Sequence, residues 1–179
     1  MKDQGKLTLI SGEMESGKTR FCRQAAGELK ELGWDVAGIV SPAVFNEGGK
    51  FAIDGLDLRS GERRRLADLT AAGSPLRGPQ TKRWHFSMQA LHWCNEVLQN
   101  ATPCDLLIID ELGPLEFDRG EGLLASFEAN DSRQFKASLT VVRTSLLEKA
   151  RDRWPDAEVL FISDDDNIST LVKEWLRLF

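Results

Sequence analysis

The chain has 179 residues, 41% of them apolar and 28% charged, a balance that suits one folded domain with a single sizeable core and excludes a disordered or membrane-embedded chain. A formal net charge of -5 argues against general nucleic-acid binding, which needs clustered lysine and arginine to meet phosphate backbones. Cys22, Cys94 and Cys104 are scattered without a C-x-x-C pair, the N-terminus lacks a signal-peptide apolar region, and no apolar run approaches the roughly 18 to 20 residues that cross a bilayer, so a cytoplasmic location is expected.

Residues 6–11 (KLTLIS) have the pattern of a buried strand. After the octet GEMESGKT, residues 18–32 set Phe21, Ala25, Leu29 and Leu32 at helical spacing, and Gly33 ends that helix. A second strand is predicted at 36–41 (VAGIVS), before Pro42. NEGGK then reads as a hairpin turn, and KFAIDGLDL, the turn RSGE and RRRLADL complete a β-meander. With the Gly/Pro-rich loop GSPLRGPQT it forms a predicted insert at about 44–81.

A short strand near Arg83 to Phe86 follows, and Ser87 is placed to cap a helix through Leu98. Residues 105–110 (DLLIID) are almost continuously apolar, as in a central parallel strand covered on both faces. Later elements are a helix near 120–130, a strand at 138–142 (SLTVV), a helix opened by the capping box Ser145-Leu-Leu-Glu148, a strand at 158–162 (EVLFI) and a helix to about Phe179. Strands alternating with helices predict an α/β fold with a mostly parallel sheet, one domain over residues 1–179.

GEMESGKT matches G-x-x-x-x-G-K-[ST] between a predicted strand and a predicted helix, the context in which such a loop cradles phosphate. Gly12 and Gly17 permit backbone conformations that let the N–H groups from Gly12 through Glu13, Met14, Glu15 and Ser16 to Gly17 turn inward. The start of the following helix adds its positive dipole end. Lys18 is expected to reach the β and γ phosphates of a nucleoside triphosphate, and Thr19 to place its hydroxyl on Mg²⁺. Two acids in such a loop must point away from the phosphates, so the Glu13 and Glu15 side chains are expected in solvent. The blander alternative is a glycine turn that caps a helix.

The stretch LLIIDELG supplies the second half. Asp110 sits where its strand should end, the position from which a carboxylate holds Mg²⁺. Glu111 follows it, placed to orient or deprotonate a water aimed at the γ phosphate. Arg143 follows SLTVV and should emerge at the same sheet edge, a candidate to stabilise charge in the transition state. Arg63, Arg64 and Arg65 read as a solvated hairpin face, and Arg77, Lys82 and Arg83 as a basic loop. His85 and His92 have no ligand cluster around them, and of the five tryptophans Trp84 is the one placed to meet a ligand.

GEMESGKT, GWDVAGIVSP, LRSGERRRLADL and IIDELGPLEF together resemble the small nucleoside-triphosphatases, the family that includes thermophilic and human cancer-related enzymes. The resemblance spans about residues 6 to 162. It implies a three-layer, RecA-like P-loop core and Mg²⁺-dependent hydrolysis of ATP, GTP and other nucleoside triphosphates. By position it assigns phosphate and metal contacts to Gly12, Gly17, Lys18 and Thr19, Mg²⁺ to Asp110, water activation to Glu111, and a place in the motif to Glu116. The chain departs from the pattern at Arg20, where a second Thr is common, and at SDDDNIST, where Ile168 follows Asn167 in place of Arg. Two other readings stand: a small nucleotide or nucleoside kinase whose meander and loop bind an acceptor, and a slow nucleotide-dependent adaptor that a protein partner controls.

Overall fold

Nine strands and six α-helices organise residues 5–179, the part of the chain that the computed structural model describes. In order they are β1 (Lys6–Ser11), α1 (Lys18–Glu31), β2 (Val36–Val40), β3 (Ala43–Asn46), β4 (Gly49–Asp57), β5 (Arg63–Leu69), β6 (Trp84–Phe86) and α2 (Met88–Gln99). Then come β7 (Leu106–Leu112), α3 (Pro114–Arg119), α4 (Ala125–Asp131), β8 (Ala137–Val142), α5 (Leu147–Arg153), β9 (Glu158–Phe161) and α6 (Ile168–Leu176).

All strands join one sheet of order β6-β5-β4-β2-β7-β8-β1-β9, with β3 paired to β4. Strands β2, β7, β8, β1 and β9 run parallel. The direction changes where Ile39 and Val40 of β2 pair antiparallel with Asp57 and Leu56 of β4, so the meander continues the main sheet without a break. Its inner strands therefore reach the same edge as the parallel strand ends.

The sheet is the middle of three layers. Along β7, Leu106 and Ile108 pack toward α1 and α6 with Phe21, Leu29 and Trp175, while Leu107 and Ile109 pack on the other side with α2, α4 and α5. This alternation explains the unbroken apolar run: both faces of the strand are covered. At Gly38 of β2, φ is +112° and an added Cβ would lie 1.9 Å from the Ile108 carbonyl oxygen, so close pairing with β7 requires glycine. The polar exceptions in β8, Ser138 and Thr140, are satisfied by Asn130 at 2.8 and 2.9 Å.

Three local expectations are corrected. Helix α3, absent from the sequence reading, begins at Pro114, whose fixed φ suits a first helical position, and Glu116 Oε2 accepts the Gly113 N–H at 2.8 Å. The helix expected near 120–130 starts only at Ala125, because Gly120 and Gly122 adopt φ of +62° and +79°. Ser145 does not open a capping box. Leu146 N–H donates to the Arg143 carbonyl at 2.8 Å, tightening Thr144–Leu146 into a 3₁₀ turn with Ser145 inside it. By contrast, Ser87 caps α2 as expected, accepting the Ala90 N–H at 3.1 Å.

Candidate active site

The carboxyl ends of β1, β2, β7 and β8 lie side by side, and the loops leaving them enclose a cleft of about 1010 Å³. Brought together there are the whole octet Gly12–Thr19 and Asp110, Glu111 and Arg143. The octet bends at Gly12, φ +149°, where a Cβ would meet the Ile162 carbonyl at 2.1 Å, and at Gly17, φ +99°, which starts α1. Glu13, Met14 and Glu15 are exposed, and the Ser16 hydroxyl is buried without a hydrogen-bond partner among the described residues. A buried hydroxyl with spare donor capacity, in a glycine loop that leads into the N-terminus of α1, suits an anion.

Lys18 is buried in this loop and donates from Nζ to the Gly12 carbonyl at 3.0 Å and the Glu13 carbonyl at 2.5 Å. Thr19 Oγ1 donates to Asp110 Oδ2 at 2.8 Å. The same carboxylate oxygen accepts the Ser41 N–H at 3.1 Å, while Ser41 Oγ donates to the Asp110 carbonyl at 2.6 Å. Burial, and then the charge of Glu111, push the Asp110 carboxyl up to about 6. Glu111 itself is 40% exposed, and its Oε1 lies 3.6 Å from Arg143 Nε.

A second set of contacts braces the octet. Thr144 Oγ1 donates to the Gly12 carbonyl at 3.1 Å, and Ser11 Oγ donates to the Val142 carbonyl at 3.1 Å. The end of β8 is thereby tied to the octet that follows β1. Ser41, Thr144 and Ser11 were not singled out from sequence. Their signal was positional: each stands at or just beyond the carboxyl end of a parallel strand, where ligands of open α/β sheets bind.

The far wall of the cleft comes from the meander and its neighbours, including Ile53, Leu66, Phe86, Leu91 and Leu123. Lys50, Lys82, Arg83 and Trp84 also line it, whereas Arg77 and both histidines do not. Arg63 and Arg65 lie outside, paired with Asp54, and Arg64 pairs with Glu62 and lies over the Trp93 ring. Asn167 is not part of the cleft wall; its side chain accepts the Thr170 N–H at the start of α6.

The metal assignment can be tested on these donors. Among the described residues no group of three or more His, Cys, Asp or Glu gathers as a ligand cage. A hydroxyl and a buried carboxylate in contact, beside a second carboxylate, instead form the partial oxygen set that Mg²⁺ takes when substrate phosphates complete its shell. The residues present fit the ion.

A family model described as NTPase matches residues 7–151. Nucleoside-triphosphatase THEP1 of Methanopyrus kandleri is 30% identical over 94% of this chain and 96% of its own. The protein of that name from Pyrobaculum aerophilum is 34% identical over 60% of this chain and 58% of its own. Among solved structures, a human cancer-related nucleoside triphosphatase has a similar fold, with a TM-score of 0.71, 22% identity and 97% of each chain covered. THEP1 from Aquifex aeolicus has a TM-score of 0.68 at 14% identity, covering 96% of this chain and 98% of that one.

Proposed function

The chain belongs to the NTPase family and is a nucleoside triphosphatase, and from that premise we propose that it hydrolyses ATP, GTP and other nucleoside triphosphates to diphosphates with Mg²⁺, through a water activated by Glu111. The observation that carries this reading is the placing of Glu111 in one cleft with Lys18, Thr19 and Asp110. Inward N–H groups of the octet bind the β and γ phosphates, and Lys18 exchanges its two loop carbonyls for phosphate oxygens. Thr19 and Asp110 are the residues that would hold Mg²⁺, whose chemistry there is to neutralise charge on the β and γ oxygens.

Glu111 is exposed enough to meet water and close enough to Asp110 to stand beside the γ phosphate. Its carboxylate takes the water proton as the water oxygen bonds to phosphorus. The bond from phosphorus to the β–γ bridging oxygen breaks, and the diphosphate leaves. Arg143 holds the carboxylate in place and offers positive charge to the equatorial oxygens.

One observation favours a second reading. The apolar far wall gives the cleft more room than water needs, and a phosphoryl acceptor could lie against Ile53, Phe86 and Leu91. The test of both is phosphate release from a panel of triphosphates with Mg²⁺, with and without nucleosides and monophosphates. Release that needs no acceptor supports hydrolysis; a phosphorylated acceptor without free phosphate overturns it.

A further inference from the structure

The cations of the cleft differ in what already neutralises them. Lys18 is held by the carbonyls of its own loop, Arg143 faces Glu111, and Arg83 lies 3.9 Å from Glu15 Oε1 and 3.3 Å from Met14 Sδ. Arg20, Arg23 and Lys82 are exposed, so water solvates them. Lys50 is the exception. It is half-buried on strand β4, lines the cleft, and makes no hydrogen bond or ion pair among the described residues.

Its position is fixed by packing and not by a counter-charge. Lys50 Nζ lies 5.2 Å from the centroid of the Trp84 ring, and the Arg83 guanidinium lies 5.3 Å from the same ring. Trp84 is itself buried, so the ring is a rigid rest for both side chains. Burial, and then the nearby Arg83 charge, lower the Lys50 pKa, while Glu15, Glu111 and Asp110 act in the opposite direction. The ammonium thus sits within the field of the two cleft carboxylates and still lacks a partner. A partly desolvated cation without a counter-ion is costly, and an anion entering the cleft relieves that cost.

We propose that Lys50, rested on Trp84 beside Arg83, is the cleft's receptor for the terminal phosphoryl group and the residue by which the protein tells triphosphates from diphosphates. The octet supplies N–H groups to whatever phosphates lie in the loop. Lys50 comes from the opposite wall, on the meander, and so meets the phosphate that projects furthest from the loop. The continuity of the meander with the parallel sheet acquires a purpose: β4 carries a cation to the side of the cleft that β1 cannot reach. This assignment rests on the proposed triphosphatase reading of the same cleft.

The test measures dissociation constants of a fluorescent diphosphate and of a fluorescent, non-hydrolysable triphosphate, each with Mg²⁺, for the unaltered chain, Lys50→Met and Lys50→Arg. Methionine keeps a stem against Trp84 and removes the charge. In Lys50→Met the triphosphate should bind about tenfold or more weakly, the equivalent of one charged hydrogen bond, with diphosphate affinity changed by less than about twofold. Lys50→Arg should recover most of the preference, which a merely structural defect would not allow, and the melting temperature of each variant reports its folding. Equal weakening of both ligands, or an intact triphosphate preference in Lys50→Met, overturns the assignment while leaving the function reading in place. An unaltered chain that binds no triphosphate overturns both.

Discussion

Arg143 Nε lies 3.6 Å from Glu111 Oε1, joining the residue that follows β8 to the carboxylate near the end of β7. The pair is half-exposed, so its contribution to stability is small, and its value lies in where it points the Glu111 oxygens. Glu111→Gln should keep nucleotide affinity and lower turnover by a factor on the order of 10² to 10⁴. Arg143→Ala should lower turnover with little change in KM. Because the two side chains act as a unit, the double variant should lose less than the product of the single losses, which steady-state kinetics on all four proteins will show.

Among the described residues Lys18 Nζ donates only to carbonyls of its own loop, at 3.0 and 2.5 Å. Lys18→Ala should therefore cost the folded chain little, since the two carbonyls still reach water, and should abolish triphosphate affinity and turnover together. Calorimetric titration with a non-hydrolysable triphosphate is the measurement; unchanged affinity would remove the octet's role as a phosphate cradle.

Asp110 links function to stability with a definite sign. Its carboxyl titrates near 6 in the folded chain, against an ordinary 3.8, so between these values the folded state binds more protons than the unfolded one. The resulting stability is fully present below 3.8 and is lost as pH rises through about 6. Asp110→Asn removes the buried charge while keeping an oxygen for Thr19 and Ser41. It should raise the nucleotide-free melting temperature above pH 6, by an amount worth on the order of a few kcal/mol, and have little effect near pH 4. Turnover should fall at every pH. A melting curve that responds to pH alike in both proteins would count against burial of the charge.

Much of this site was legible because its parts are local in sequence. The octet carries its own glycines, and DLLIID announces a strand covered on both faces, so the pairing of Thr19, at the start of α1, with Asp110 needed only that β1 and β7 run parallel in one sheet, on either side of β8. Contacts made across the sheet left no such trace. Nothing in the sequence ties Thr144 to Gly12, or Ser41 to Asp110, because a single Ser or Thr after a strand has many uses. Helix α3 was missed because a six-residue helix has too few turns to show periodicity. Its Glu116, which the sequence marks only as part of a motif, is a buried staple that accepts the N–H groups of Gly113 and Leu123, each at 2.8 Å.

The same contrast between local and cross-sheet constraint separates two glycines. Gly27 lies on the exposed side of α1 with nothing within 4 Å of an added Cβ, so Gly27→Ala should gain about 0.5 to 1 kcal/mol from helix propensity alone. At Gly38 an added methyl would press into the Ile108 carbonyl at 1.9 Å on a backbone with φ of +112°. Strand β2 must then move away from β7 or leave its left-handed conformation, and Gly38→Ala should lose about 3 kcal/mol or more. The shift would also be felt in the cleft, since Ser41, one residue past the end of β2, holds Asp110 by its N–H at 3.1 Å. Denaturant midpoints should therefore move in opposite directions for the two variants, with turnover per folded molecule unchanged in Gly27→Ala and reduced in Gly38→Ala. Full turnover in a folded Gly38→Ala protein would mean that the register of β2 against β7 does not set the position of the Asp110 carboxylate.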